Sequence, residues 1–162
     1  MFGTLLSLFL ACSAGASPTA RLCSCVRGYG RAHAKAMVKA ALPRTDAVFI
    51  GSVVSVTDRT WPLPSRPSMI VRTLKVVLIV DRAWKGVLRD SVVIWTGTGS
   101  GDCGYPFQVN ERYLVFATAA DSGAFSTGIC TLTQPVATAS EYVRALGEAM
   151  VHVQHASDSR QP

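Results

Sequence analysis

A small, mainly β domain closed into a five-stranded barrel of the OB type, with one helix before the strands and one after them, is what this sequence predicts. Three observations predict it. Short β-rich segments recur at close spacing, separated by glycine, proline and Asp-Ser-Gly turn signals. Of 162 residues, 49% are hydrophobic and 16% charged, which suits one packed domain and excludes a disordered chain. Four cysteines, Cys23, Cys25, Cys103 and Cys130, follow a leader-like start, an even number that fits a two-disulfide domain in an oxidising compartment.

Residues 1–11 (MFGTLLSLFLA) are an uncharged apolar run, followed by the small residues Ser13, Ala14, Gly15 and Ala16. Ala14-Gly15-Ala16 fits a signal-peptidase site, so residues 1–16 read as a signal peptide and 17–22 as a short extension. No Lys or Arg precedes the run, as an n-region would supply. Ala11-Cys12 also reads as a lipoprotein signal, which would anchor the chain to a membrane through Cys12. The expected location is therefore exported, secreted or periplasmic, with lipid anchoring as the minority reading. No run reaches the roughly 18 apolar residues of a membrane span.

Cys23 and Cys25 stand one residue apart, too close to bridge each other without strain. Both must then reach across to Cys103 and Cys130, and either of the two crossed pairings remains open. C-x-C with two distant single cysteines is not the C-x-x-C pairing of a structural zinc site, so disulfides are expected and a metal is not.

Along the body, 32–42 (AHAKAMVKAAL) has helix-forming composition and Pro43 ends it. Residues 46–57 predict a strand with Val48, Ile50, Val54 and Val56 on one alternating face. Three prolines in 58–69 predict a long exposed loop. The clearest strand is 70–81, with Ile70, Leu74, Val76, Leu78 and Val80 on one face and Thr73, Lys75 and Asp81 on the other. Trp84-Lys85-Gly86 reads as a turn into a strand over 91–96, and 97–104 (GTGSGDCG) as a Gly-rich loop. A further strand is expected over 112–118, a turn at Asp121-Ser122-Gly123 and a short strand leading to Cys130. Thr138 with Glu141 predicts a capping box, opening a helix that carries Val143, Leu146, Met150 and Val153 on its apolar stripe. The domain is placed at 23–155 and a polar tail at 156–162.

The charge of +6 comes from 16 basic and 10 acidic residues and is local. Residues 21–44 hold Arg21, Arg27, Arg31, Lys35, Lys39 and Arg44 without an acid, while the rest of the chain balances. That distribution excludes a nucleic-acid wrapper coated in positive charge. Trp61, Trp84 and Trp95 do not alternate with bases, so specific nucleic-acid stacking is not expected. Trp84 and Trp95 are assigned to the core and Trp61 to a contact surface.

No motif for catalysis stands out. The Gly-rich loop lacks the Lys-Ser/Thr ending of a P-loop and leads into no helix, so it reads as a structural turn. A cysteine nucleophile beside His33 would need a thiol that the disulfides consume. His152 and His155 are three apart on the predicted last helix and have no third ligand. The chain reads as a non-enzyme without a cofactor, acting as a monomeric binding module.

Cys23-Ser24-Cys25, a following helix, Ala47-Val48-Phe49-Ile50-Gly51-Ser52-Val53, Trp84-Lys85-Gly86, Cys103-Gly104, Tyr113-Leu114-Val115-Phe116-Ala117 and Cys130 before a C-terminal helix occur in that order. This ordered set, over roughly 23–147, resembles the netrin-like module and the tissue inhibitors of metalloproteinases, in the short bacterial type with the N-terminal domain alone. The resemblance implies an OB-type barrel flanked by helices, with disulfides Cys23–Cys103 and Cys25–Cys130. It implies inhibition of a metalloendopeptidase by an edge made of Cys23, Ser24, Cys25, Val26, Gly101, Asp102 and Cys103. In that mechanism the amine and carbonyl of Cys23 chelate the target's zinc and Ser24 enters its specificity pocket. The 58–69 loop, with Trp61, would hold the place of the family's protease-contacting hairpin. The mechanism requires Cys23 to be the mature N-terminus, whereas cleavage after Ala16 leaves residues 17–22 ahead of it. The alternative implied function is a non-inhibitory netrin-like module that binds a protein or polyanion through the basic segment 21–44.

Overall fold

The computed structural model describes Cys23, Cys25 and residues 30–63, 65–99 and 101–152. The expected leader with Cys12, the extension 17–22, Ser24, Val26, Val153, His155 and the tail from 156 lie outside the described residues.

Two unbroken apolar runs organise the sheet. Ala47, Val48, Phe49 and Ile50 begin β1 (Ala47–Leu63), and residues 113–117 fill β4 (Arg112–Ala119). An alternating strand buries one face, but an unbroken run needs cover on both. The two runs pair antiparallel, with Ile50 opposite Leu114, and all of their residues are buried. Phe49, Tyr113 and Val115 point into the sheet's interior beside Val76, Leu78, Val80 and Ile94. Val48, Ile50, Leu114 and Phe116 pack the other way, against Val38 of α1 (Arg31–Ala41) and Val143 and Leu146 of α2 (Ser140–Leu146).

The strands β2 (Arg66–Lys85), β3 (Ser91–Thr96) and β5 (Phe125–Ser126) complete a ring. Its order is β1-β2-β3-β5-β4, and β4 returns to pair with β1. β3 and β5 run parallel, and the other ring pairs are antiparallel. Two short strands attach outside the ring: β6 (Gln134–Pro135) to β4 and β7 (Val151–His152) to β2. The protein is thus mainly β, with one sheet closed on itself and the two helices against its outer side.

α1 buries Ala34 and Val38, one turn apart, and exposes Arg31, Lys35 and Lys39. Pro43 sits in the 3-10 turn Leu42–Arg44 that follows, where a proline near the first position is tolerated. The loose carbonyls there are satisfied by Lys85, whose Nζ donates to the Leu42 carbonyl at 2.7 Å and to the Thr45 carbonyl.

Several sequence expectations need correction. Residues 58–69 do not form a long loop: β1 runs to Leu63 and β2 starts at Arg66, so the segment is a two-stranded ribbon projecting from the ring. Pro62 pairs with Ile70 in register. Prolines fit because both outer edges of the ribbon lie beyond β3 and β4, where no ladder needs their missing N–H. The ladder of β1 has register shifts at Val48/Phe49, Ile50/Gly51 and Val53/Ser55. Ala47, Phe49 and Val53 alternate inward across the first two, with Val48 and Ile50 outward, and the shift at Val53/Ser55 exchanges inside for outside, so the expected single face breaks there. Val53 and Val56 therefore face the interior, while Val54 is exposed. On β2 the expected face holds for Leu74, Val76, Leu78 and Val80, but Ile70 is exposed because it stands on the ribbon.

The last helix ends at Leu146, not beyond Val153. Gly147 takes φ +75° and stops it, Met150 is exposed, and Val151 and His152 turn back as β7. His152 is consequently on a strand rather than on a helix face with His155. The capping box does not form: Thr138 Oγ1 donates to the Pro135 carbonyl, and Ala139 holds the cap position. Trp84 and Lys85 are the end of β2, and the turn starts at Gly86. Trp84 is buried, its Nε1 donating to the Gly147 carbonyl at 2.9 Å. Trp95 is not core; it is half-buried on the outer side of β3.

Candidate functional site

Thr96 ends β3 and the chain enters the Gly-rich loop. Asp102 organises it. Oδ1 accepts the N–H of Gly99 at 2.9 Å and of Gly104 at 3.0 Å. Oδ2 accepts the N–H of Thr98 at 2.7 Å and the Thr98 hydroxyl at 3.2 Å. Successive N–H groups curled around an anion form a nest, and here the anion is the loop's own side chain. Burial pushes the Asp102 carboxyl up, but the N–H donors of Thr98, Gly104 and Gly99 and the Thr98 hydroxyl hold it below the usual carboxylate value. The Thr98, Gly99 and Gly104 N–H groups of the Gly-rich loop are thereby taken by the loop's own carboxylate.

The glycines are sterically required where the loop's ends meet. A Cβ at Gly104 would run into the Gly97 backbone, and one at Gly97 into the Asp102 carboxylate. Between Asp102 and Gly104, Cys103 adopts φ +59°, a left-handed conformation that costs energy for a residue with a Cβ. The cap on either side holds it there.

This strained cysteine is an anchor. Cys103 is bonded to Cys23 and Cys130 to Cys25, with Cα separations of 5.4 and 5.2 Å. The two anchors are neighbours because the Ile129 N–H donates to the Cys103 carbonyl at 2.9 Å. Gly128 is needed beside them, since a Cβ there would stand 2.5 Å from that carbonyl. Three hydroxyls brace the same turn. Thr127, Thr131 and Thr133 lie within 2.9 Å of one another, and Thr127 also donates to the Phe116 carbonyl at 2.8 Å. Thus the disulfide turn is tied to β4 through buried polar contacts, a connection visible in the sequence only as the spacing of the three threonines.

The ribbon rises from the same end of the ring. Leu74 is opposite Asp58 on β1 and opposite Thr96 on β3, so the ribbon departs where β3 turns into the Gly-rich loop. Arg72 and Asp58 form an exposed ion pair at its base, and Asp58 raises the Arg72 pKa by accepting its hydrogen bond. Trp61 stacks edge-on against Trp95 with ring centroids 5.4 Å apart. Trp61 stays 40% exposed, with Met69 at 47% and Ile70 at 59%, an apolar surface on a cationic ribbon that carries Arg59, Arg66 and Arg72.

Of the residues predicted for the edge, Cys23, Cys25, Gly101, Asp102 and Cys103 come together, with Cys23 Sγ 3.8 Å from the Gly101 carbonyl oxygen. Trp61 joins from the ribbon at the same end. Ser24 and Val26 lie outside the described residues. The disulfide pairing is the one the resemblance implies, out of the two that spacing leaves open.

A second feature lies along α1. Arg31, Lys35 and Lys39 are spaced by one helical turn and all exposed, forming a basic row. Arg31 meets Glu141 at 3.6 Å, and Glu141 also meets Arg144 at 3.1 Å. Between this helix and the Cys25–Cys130 disulfide is a cavity of about 330 Å³ lined by Cys25, His33, Met37, Thr131, Glu141 and Tyr142. Among the described residues no group of three or more His, Cys, Asp or Glu converges as a metal site. No protein-family model matches this chain, and no curated protein matches it.

Proposed function

We propose that the chain is an exported, non-catalytic binding protein, an OB-type barrel akin to the N-terminal domain of the tissue inhibitors of metalloproteinases, whose partner is a zinc metalloendopeptidase. One observation carries this reading: strand register brings the disulfide-fastened Cys23 and Cys25 and the ribbon bearing Trp61 to one end of the ring. A rigid edge beside an exposed apolar arm suits docking to a cleft. The ring order β1-β2-β3-β5-β4, with β3 and β5 parallel, supports the OB-type reading. The two disulfides support export, because such bonds persist in oxidising compartments. Lipidation at Cys12 would place the same domain on a membrane.

In this reading the amine and carbonyl of Cys23 chelate the target's zinc, Ser24 enters its pocket, and Gly101, Asp102 and Trp61 flank the contact. An amide nitrogen is a far poorer ligand than an amine, so Cys23 must lead the mature chain. The test joins two measurements on the exported protein: mass spectrometry of its first residue and inhibition of a panel of zinc metalloendopeptidases. The expected result is a chain starting at Cys23 whose inhibition disappears when that amine is acetylated. A chain starting at Ser17 that does not inhibit would overturn zinc chelation.

A second reading has its own observation, the exposed row Arg31, Lys35 and Lys39. It makes the domain a non-inhibitory module that binds a polyanion through segment 21–44. Retention on a sulfated polysaccharide column should then fall steeply with salt and drop further in Lys35→Glu/Lys39→Glu. Salt-insensitive retention counts against it.

A further inference from the structure

β5 closes the ring with only two residues. Phe125 and Ser126 pair with Ile94 and Trp95, and among the described residues no strand covers that side of β3 over Ser91, Val92 and Val93. The chain reaches β5 through the 3-10 turn Asp121–Gly123, which holds it away from the first half of β3. The consequence is a groove of about 610 Å³, within the size range of ligand clefts.

The groove follows a strand edge. Val92 faces the interior and Val93, its neighbour, faces outward, yet both line it. A space touched by both faces of one strand lies beside that strand. The Trp95 carbonyl accepts from the Thr127 N–H at 3.1 Å, on the side away from β2. By the antiparallel pattern, Val93 and Ser91 turn their backbone groups the same way, toward the groove. Its floor includes the core residues Val87 and Val92. Lys75 and Arg89 line it and no Asp or Glu does; Asp90 and Asp121 stand in the flanking turns. Neither cation has an ion pair among the described residues.

We propose that this groove binds an extended acidic peptide segment of a partner protein as an added strand on β3. An open strand edge offers main-chain hydrogen bonds, an apolar floor takes alternate side chains, and two uncompensated cations select carboxylates. The groove runs from Ser91 to Trp95, whose ring also meets Trp61 of the ribbon, but strand addition here needs no free Cys23 amine, so this proposal and the inhibitory reading fail separately.

Fluorescence anisotropy on the full exported protein tests it. The probe is a labelled hexapeptide alternating valine and threonine and ending in two glutamates. Saturable binding is expected, weakened about tenfold or more, which is about 1.4 kcal/mol, by Lys75→Glu/Arg89→Glu or by replacing the two glutamates with lysines. Alternate N-methylation of the peptide should weaken it comparably, because it removes the ladder donors. The amide resonances of Ser91, Val93 and Ala124 should shift on titration. Equal binding of the N-methylated peptide, absence of saturation at millimolar concentration, or preference for a single-stranded oligonucleotide over the peptide would each overturn the proposal. Both substituted side chains are at least partly exposed, and a thermal melt of the double variant matching the parent shows that any lost binding is not unfolding.

Discussion

Asp102 shows how one side chain can set the shape of the disulfide-fastened edge. Its carboxylate gathers donors from Thr98, Gly99 and Gly104 and so fixes Cys103 in its left-handed conformation. Asp102→Ala leaves those N–H groups to water and should destabilise the fold by roughly 1–3 kcal/mol, measured by urea denaturation. Because the folded carboxyl is held below its ordinary value, its stabilisation is complete above the unfolded aspartate range near pH 4 and declines as pH falls through the lowered folded value. In Asp102→Asn that acid-limb loss should flatten, which stability measured across pH 2–6 would reveal. Gly86 is a second decisive position. It has φ +67°, and a Cβ there would collide with the Asp46 carbonyl. Gly86→Ala should cost more than about 1 kcal/mol, read as a lowered melting temperature.

At the scale of elements, the ribbon and the ring answer to different forces. Inside the ring, Leu78 is fully buried among Phe49, Val76 and Ile94, so Leu78→Ala should cost about 2–5 kcal/mol in chemical denaturation. On the ribbon, Trp61 is partly exposed and contacts Trp95, so Trp61→Ala should change stability by no more than about 1.5 kcal/mol while weakening partner binding. An equal loss of stability in both variants would show that the ribbon is part of the core rather than an arm. The strands were legible where the pattern was strong: 70–81 alternates and 91–96 coincides with β3. The ribbon was not, because prolines signal loops unless the strand has a free edge, and edges are a property of the sheet. The last helix was overextended because the apolar spacing of Met150 and Val153 matched a helix while Gly147 had already ended it.

For the whole molecule, the disulfides fasten the N-terminal edge to the ring. The sequence separations are 80 and 105 residues, long loops for which the chain-entropy account gives on the order of 4 kcal/mol each. Cys25→Ala/Cys130→Ala should therefore lower stability by about 2–5 kcal/mol, seen as a lower denaturation midpoint with the ring's circular dichroism retained below it. Loss of all β signal in that variant would mean that the ring depends on the staple.

The sequence by itself determined the mainly β class, the number and order of the long strands, the crossed cysteine pairing to within two alternatives, and the localisation of the charge in one segment. These follow from local periodicity, residue chemistry and the impossibility of bridging Cys23 to Cys25. Only the tertiary structure decided which pairing occurs, that a proline-rich stretch is a ribbon, that Val53 rather than Val54 faces inward, and that a groove opens beside β3. Each of these depends on which strands meet and where their pairing stops, and a one-residue register shift such as that between Val53 and Ser55 leaves no periodic trace in the chain.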